Sequence, residues 1–226
     1  MFKALFIPVN SIQAKICAAI IKELNNKGEF SYSVVTSEYW EEPHYRANKT
    51  LQELDIPFKN IEEYGTENTK SILEVERPDI LVVSQVQSYT VRLFMRACHK
   101  RGIPVLLVQD AIFLGEFGSR VQHRTMSQSL KLRTSYLPAS IAFLREQRYT
   151  PRQKLQIISM RLKDIIRGMT YFWGHGEYDK VAVMGDYMRG VLISEGIDLS
   201  KIVVTGEPRW DELVSSDVGR EKVFKE

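Results

Sequence analysis

Five polar clusters, each directly following an apolar run, are the residues of this chain best equipped for chemistry. They are Asn10 and Ser11; Ser84 and Gln85, with Gln87 close behind; Gln109 and Asp110; Gly185 and Asp186; and Gly206, Glu207 and Arg209. Asn10 and Ser11 open a helical pattern, whose unpaired N–H groups can hold an anion or hydroxyls. Simple capping of that helix accounts for the same two residues. The amides of Gln85 and Gln109 each offer a donor and an acceptor, which suits a neutral, hydroxyl-rich ligand; a solvated turn is the plainer reading of Ser84 to Ser88. Asp110 is the best-placed carboxylate for a general base, although an Asp that caps the next segment fits equally well. Gly185, Asp186, Gly206, Glu207 and Arg209 would line the rim of the same edge. His175, between Gly174 and Gly176, has the freedom to approach a ligand closely, and a return loop explains it as simply.

Equally informative is what the sequence lacks. There is no GxxxxGK[ST] or GxGxxG loop to cradle phosphates. There is no GxSxG nucleophile elbow. The four histidines show no HExxH or other metal-ligand spacing. Nothing in the sequence calls for a cofactor or a metal. Cys17 and Cys98 lie far apart in helical patterns and read as two buried thiols rather than a disulfide.

The elements that must position these clusters follow from periodicity. Ala4 to Val9 is a compact apolar run. Ile12, Ile16, Ile20 and Leu24 then recur at helical spacing up to Gly28. Strands are predicted at 32–36, 80–83, 105–108, 180–184 and 202–205. Helices are predicted at 45–54, 69–76, 89–100 and 187–195. Continuous apolar strands separated by helices imply a parallel sheet buried on both faces. The fold class is therefore α/β, a Rossmann-like doubly wound parallel sheet of about six or seven strands. In such sheets ligands bind outside the carboxyl ends of the strands, where all five clusters fall.

Residues 115–178 break the alternation with a basic, helix-prone insertion. Within 120–167 there are eleven Lys/Arg against two acids, a net of +9, whereas the rest of the chain holds 20 basic and 26 acidic residues, a net of −6. Leu155, Ile158, Leu162, Ile165 and Met169 form one apolar helix stripe, with Lys154, Arg161, Lys163 and Arg167 off it. A solvated helical hairpin and a helix lying on an anionic membrane surface through 120–169 both fit this pattern. No recognisable nucleic-acid module is present. The apolar fraction of 44% fills an ordinary core. No apolar run of 18 residues exists and the N-terminal run is too short for a signal peptide, so a cytoplasmic, at most peripherally membrane-associated, protein is the default reading.

Four stretches together carry a family resemblance. They are Pro78-Asp79-Ile80-Leu81-Val82-Val83, Gly102-Ile103-Pro104-Val105 through Gln109, Lys180 through Gly185 with Arg189, and Ile202-Val203-Val204-Thr205-Gly206-Glu207-Pro208-Arg209-Trp210-Asp211. In this order they resemble the N-terminal, acceptor-side domain of GT-B glycosyltransferases. The polysaccharide-biosynthesis branch related to the CDP-glycerol glycerophosphotransferases and the UDP-N-acetylglucosamine 2-epimerases is the most similar. The resemblance spans residues 2 to about 213, apart from the insertion.

It implies an acceptor-binding domain over 1–213, a linker beginning at 214–226 and a donor-nucleotide-binding domain supplied in cis or in trans. It also implies a sugar or lipid-linked acceptor, for which the strand-end residues Asn10, Ser11, Ser84, Gln85 and Gln109 are the candidate holders and Asp110 the candidate base, although many relatives carry His-Gly where this chain has Asp110-Ala111. Two departures count against epimerase chemistry. The 2-epimerase pattern has Gly-Asp after the fourth strand and His-x-Glu-Ala-Gly after the fifth; here those places read Ser84-Gln85 and Gln109-Asp110-Ala111. A non-catalytic scaffold subunit and an epimerase fragment are the alternative readings.

Overall fold

The computed structural model describes residues 1–28, 30–36, 47–66, 68–86, 88–110, 150–167, 178–194 and 196–208. Arg209, Trp210, the 214–226 linker, Gln87, His175, Met169 and most of the basic insertion lie outside the described residues.

Seven parallel strands form one sheet in the order β3-β2-β1-β4-β5-β6-β7. They are β1 (Phe2–Phe6), β2 (Phe30–Thr36), β3 (Lys59–Asn60), β4 (Ile80–Val83), β5 (Val105–Val108), β6 (Lys180–Val183) and β7 (Ile202–Val204). The described α-helices are α1 (Ser11–Lys27), α2 (Ala47–Glu53), α3 (Thr69–Glu76), α4 (Tyr89–His99), α5 (Pro151–Arg167) and α6 (Asp186–Ser194). This is the doubly wound, Rossmann-like fold expected from the strand–helix alternation. The order reverses between β1 and β4, where Phe6 pairs with Val82 and Ala4 with Ile80. That reversal opens a crevice at the carboxyl ends of these two strands.

Strand alternation explains the two cores. Leu5, Ile7, Leu81, Val83, Leu107 and Val183 turn to one face and pack with Phe94 and Met95 of α4 and Leu192 of α6. Ala4, Phe6, Val82, Val108 and Ala182 turn to the other face and meet Ile16 and Ile21 of α1 and Leu51 of α2. Each fully buried Leu, Ile or Phe stabilises the fold by about 1.5–3 kcal/mol. Both cysteines are free and buried. Burial pushes the Cys98 thiol up to about 12, which removes it as a thiolate nucleophile at neutral pH.

Local chemistry sets the helix ends. Asn10 caps α1 by accepting from the Gln13 N–H, and Gly28 ends it at φ +68°, a left-handed position that suits glycine. Ser88 caps α4 by accepting from the Val91 N–H. At α5, Thr150 and Gln153 form a reciprocal pair. The Thr150 hydroxyl accepts from the Gln153 N–H, and the Gln153 amide oxygen accepts from the Thr150 N–H.

On α5 the expected apolar stripe faces outward: Leu155, Ile158 and Leu162 are 67%, 39% and 46% exposed, whereas the buried positions among the described residues are Gln153, Ile157 and Met160. Two apolar stripes run along this helix, and packing against α4 selects the one that begins at the buried cap Gln153. No described helix is long and apolar enough to cross a membrane.

Candidate functional site

The carboxyl edge of the sheet gathers the expected residues. Helices α1, α4 and α6 all begin there, so three positive dipole ends converge on one side of the sheet. At its centre Gln13, only 1% exposed, links the first strand to the fifth. Its amide oxygen accepts from the Val9 N–H at 2.9 Å, and its amide nitrogen donates to Asp110 Oδ2 at 2.9 Å. These two bonds fix the orientation of the amide. They hold the half-buried Asp110 across the end of β4, on the α1 side of the crevice. The Gln13 amide thus orients one oxygen of a carboxylate, the group type that can take a proton from a hydroxyl.

Ser84 and Gln85 follow β4 directly, half-buried at the switch point, and their side chains make no hydrogen bond among the described residues. They are the groups most open to a ligand. Ser11 opens α1 beside them and is half-buried. Asn10 is there too, with its side-chain oxygen engaged by Gln13 N–H at 2.9 Å.

Two of the expected positions, Gln109 and Glu207, are buried, and a third, Asp186, is exposed in an i,i+3 ion pair. Gln109 is 1% exposed, and its amide oxygen accepts from the Met184 N–H at 3.0 Å, while its own N–H donates to Ala182 O. It ties β5 to β6 beneath the edge. Glu207 is 3% exposed and therefore lies under the surface instead of on an open rim. Asp186 stands in the first turn of α6 and pairs with Arg189 at 3.0 Å. Gly185 is half-buried after β6, and Gly206 takes φ +87°, a left-handed turn that a side chain would strain.

Gln13 was missed in the sequence because its neighbours suggested only an α1 cap. Its place three residues after the N-cap Asn10, in the pattern Asn-x-x-Gln, was the available signal. Among the described residues no cluster of three or more His, Cys, Asp or Glu could hold a metal ion.

The same architecture occurs in solved structures of sugar-nucleotide enzymes. The UDP-GlcNAc 2-epimerase of Neisseria meningitidis, bound to UDP-GlcNAc, superposes with a TM-score of 0.52 at 16% identity, over 94% of this chain and 49% of that one. A UDP-N-acetylglucosamine 2-epimerase from Listeria monocytogenes gives 0.51 at 17% identity, over 95% and 47%. A further UDP-N-acetylglucosamine 2-epimerase gives 0.53 at 14%, over 95% and 50%. The class these likenesses define is a Rossmann-like α/β fold. At such identities they establish the fold alone, and this chain spans about half the length of those structures. No protein-family model matches the sequence, and no curated protein matches it significantly.

Proposed function

We propose that this chain is the acceptor-binding half of a glycosyltransferase, or a related transferase, that builds a surface polysaccharide or glycolipid. The observation that carries the reading is Asp110, held by Gln13 at the switch-point edge where Ser84 and Gln85 make no side-chain hydrogen bond among the described residues. A sugar hydroxyl bound by Ser84, Gln85 and Ser11 would lose its proton to Asp110 as it attacks the donor. Asn10 would keep the α1 terminus in register. A nucleotide-binding domain, in cis or in trans, supplies the donor, and the link to the CDP-glycerol glycerophosphotransferase branch belongs to this reading. The step then needs positioning and charge stabilisation more than a cofactor. The exposed stripe of Leu155, Ile158 and Leu162 on α5 supports peripheral contact with a membrane surface, where lipid-linked acceptors reside.

The test is Asp110→Asn in the chain joined to its donor-binding domain. We expect transfer to fall by about 10²–10⁴ with an unchanged melting temperature. Unchanged turnover removes Asp110 from the mechanism.

A second reading, half of a UDP-sugar 2-epimerase, is favoured by the structural likenesses. The residues at its pattern positions, Ser84-Gln85 and Gln109-Asp110-Ala111, weigh against it.

A further inference from the structure

A cavity of about 190 Å³ lies in the helical layer, away from the crevice. It is bounded by the first turn of α3, the last turns of α4 and the first turn of α5. Helix α4 begins at the crevice with its Ser88 cap, but the side chains it gives to the cavity extend from Leu93 to Ala97, with Lys100 just beyond its last turn. At 1.5 Å per residue, Arg96 sits about 10 Å along the helix from its start.

The lining is cationic. Lys70, Arg96, Lys100 and Arg152 surround the opening, and among the described residues no carboxylate contributes to it. Lys70, Lys100 and Arg152 have no ion-pair partner among the described residues, whereas neighbouring Arg101 is neutralised by Glu74 at 2.6 Å. Two helix N-termini, of α3 and α5, add positive field to the same space. Grouping like charges in this way costs the folded state free energy through mutual repulsion.

An independent observation points to a ligand. Thr69, in the first turn of α3, lines the cavity and is 5% exposed as a residue, and its side chain makes no hydrogen bond among the described residues, which leaves its hydroxyl available to an occupant of the cavity.

We propose that this cavity binds a phosphate group, with Lys70, Lys100 and Arg152 neutralising its charge and Thr69 donating a hydrogen bond. The volume falls below the roughly 300–1,000 Å³ of sites that bury a whole cofactor, which limits the occupant to a phosphate or diphosphate with a small substituent. The phosphate can come from a soluble metabolite or from a phospholipid headgroup, because the exposed apolar stripe of α5 begins beside the cavity at Leu155. This site is separate from the crevice and does not rest on the transferase reading.

The experiment titrates the 226-residue protein with inorganic pyrophosphate by calorimetry, against chloride at equal ionic strength. We expect one saturable site, weakened about tenfold or more by Lys70→Gln with Arg152→Gln and severalfold by Thr69→Val. Lys70 and Arg152 are exposed, so the double variant should keep the wild-type melting temperature, and Lys100→Gln serves as a second variant. Absence of saturable binding, or equal affinity in all the variants, overturns the proposal. Co-sedimentation with vesicles then identifies the source. Given pyrophosphate binding, recovery on phosphatidic acid that the double variant abolishes assigns a headgroup. Saturable pyrophosphate binding with no vesicle recovery assigns a soluble phosphate. Vesicle recovery that the double variant leaves intact overturns the headgroup assignment, and without pyrophosphate binding overturns the site.

Discussion

Two acids in different parts of the fold show how differently this protein treats a carboxylate. Toward the amino end of the sheet, Glu76 of α3 is 5% exposed and receives Lys3 Nζ at 2.9 Å, Lys59 Nζ at 3.2 Å, and the hydroxyls of Ser33 and Tyr64 at 2.5 Å each. Burial alone would raise its pKa. The four donors outweigh burial and hold the carboxyl at about 2. Glu76 thus joins β1, β2, β3 and α3, with its proton-accepting capacity spent on structure. At the carboxyl edge, Asp110 is held by the neutral amide of Gln13. That bond comes from a neutral side chain, whereas two of the four side-chain donors to Glu76 are lysines. The scaffold's acid is saturated by charge, and the crevice's acid is oriented by an amide.

The comparison breaks first at Glu76. Glu76→Ala leaves Lys3 facing a cavity without its counter-charge and is expected to cost about 3–5 kcal/mol, read by chemical denaturation. A loss under 1 kcal/mol would mean the network is decoration. Next comes the α5 contrast. Met160→Ala, at 0% exposure, is expected to cost about 2–5 kcal/mol, whereas Leu155→Ala, at 67% exposure, should stay within about 0.5 kcal/mol. Equal losses would mean that the stripe assignment is wrong.

The pH dependence of Glu76 has a definite sign. Its folded pKa lies below the ordinary 4.5, so its contribution is complete above about pH 4.5. It is lost as the pH falls toward 2, to a total of about 3 kcal/mol. Acid titration of wild type against Glu76→Gln should show that difference only in this window. A gap that persists unchanged at pH 2 would contradict the linkage. The smallest effect concerns the crevice. Gln13→Leu should cost about 1–2 kcal/mol of stability through the lost Val9 and Asp110 bonds, and should lower turnover through Asp110 misplacement with little change in substrate KM.

The fold was legible because its strands are apolar runs and its helices carry caps: Ile80–Val83, Val105–Val108 and Thr69–Glu76 fall where periodicity places them. The third strand was not assigned, since Lys59–Asn60 is two polar residues held in the sheet by pairing with Val35 and Thr36. Such a strand has no hydrophobic signature. On α5 the stripe of Leu155, Ile158 and Leu162 is legible in the sequence and lies exposed, whereas the buried set of Gln153, Ile157 and Met160 is set by tertiary packing that periodicity does not show. Of the site, the edge was legible from topology, and Ser84, Gln85 and Asp110 fell on it. Which amides serve the scaffold was not. Gln109 and Gln13 have the same chemistry, and only burial and partners separate a sheet tie from a positioning residue.

The most direct test of the account incubates the purified 226-residue protein with UDP-N-acetylglucosamine and follows the sugar by proton NMR. An acceptor half predicts an unchanged spectrum over hours: no released UDP and no 2-epimer. Accumulation of the 2-epimer, or transfer of the sugar by this chain alone, would contradict it and place the donor chemistry within these 226 residues.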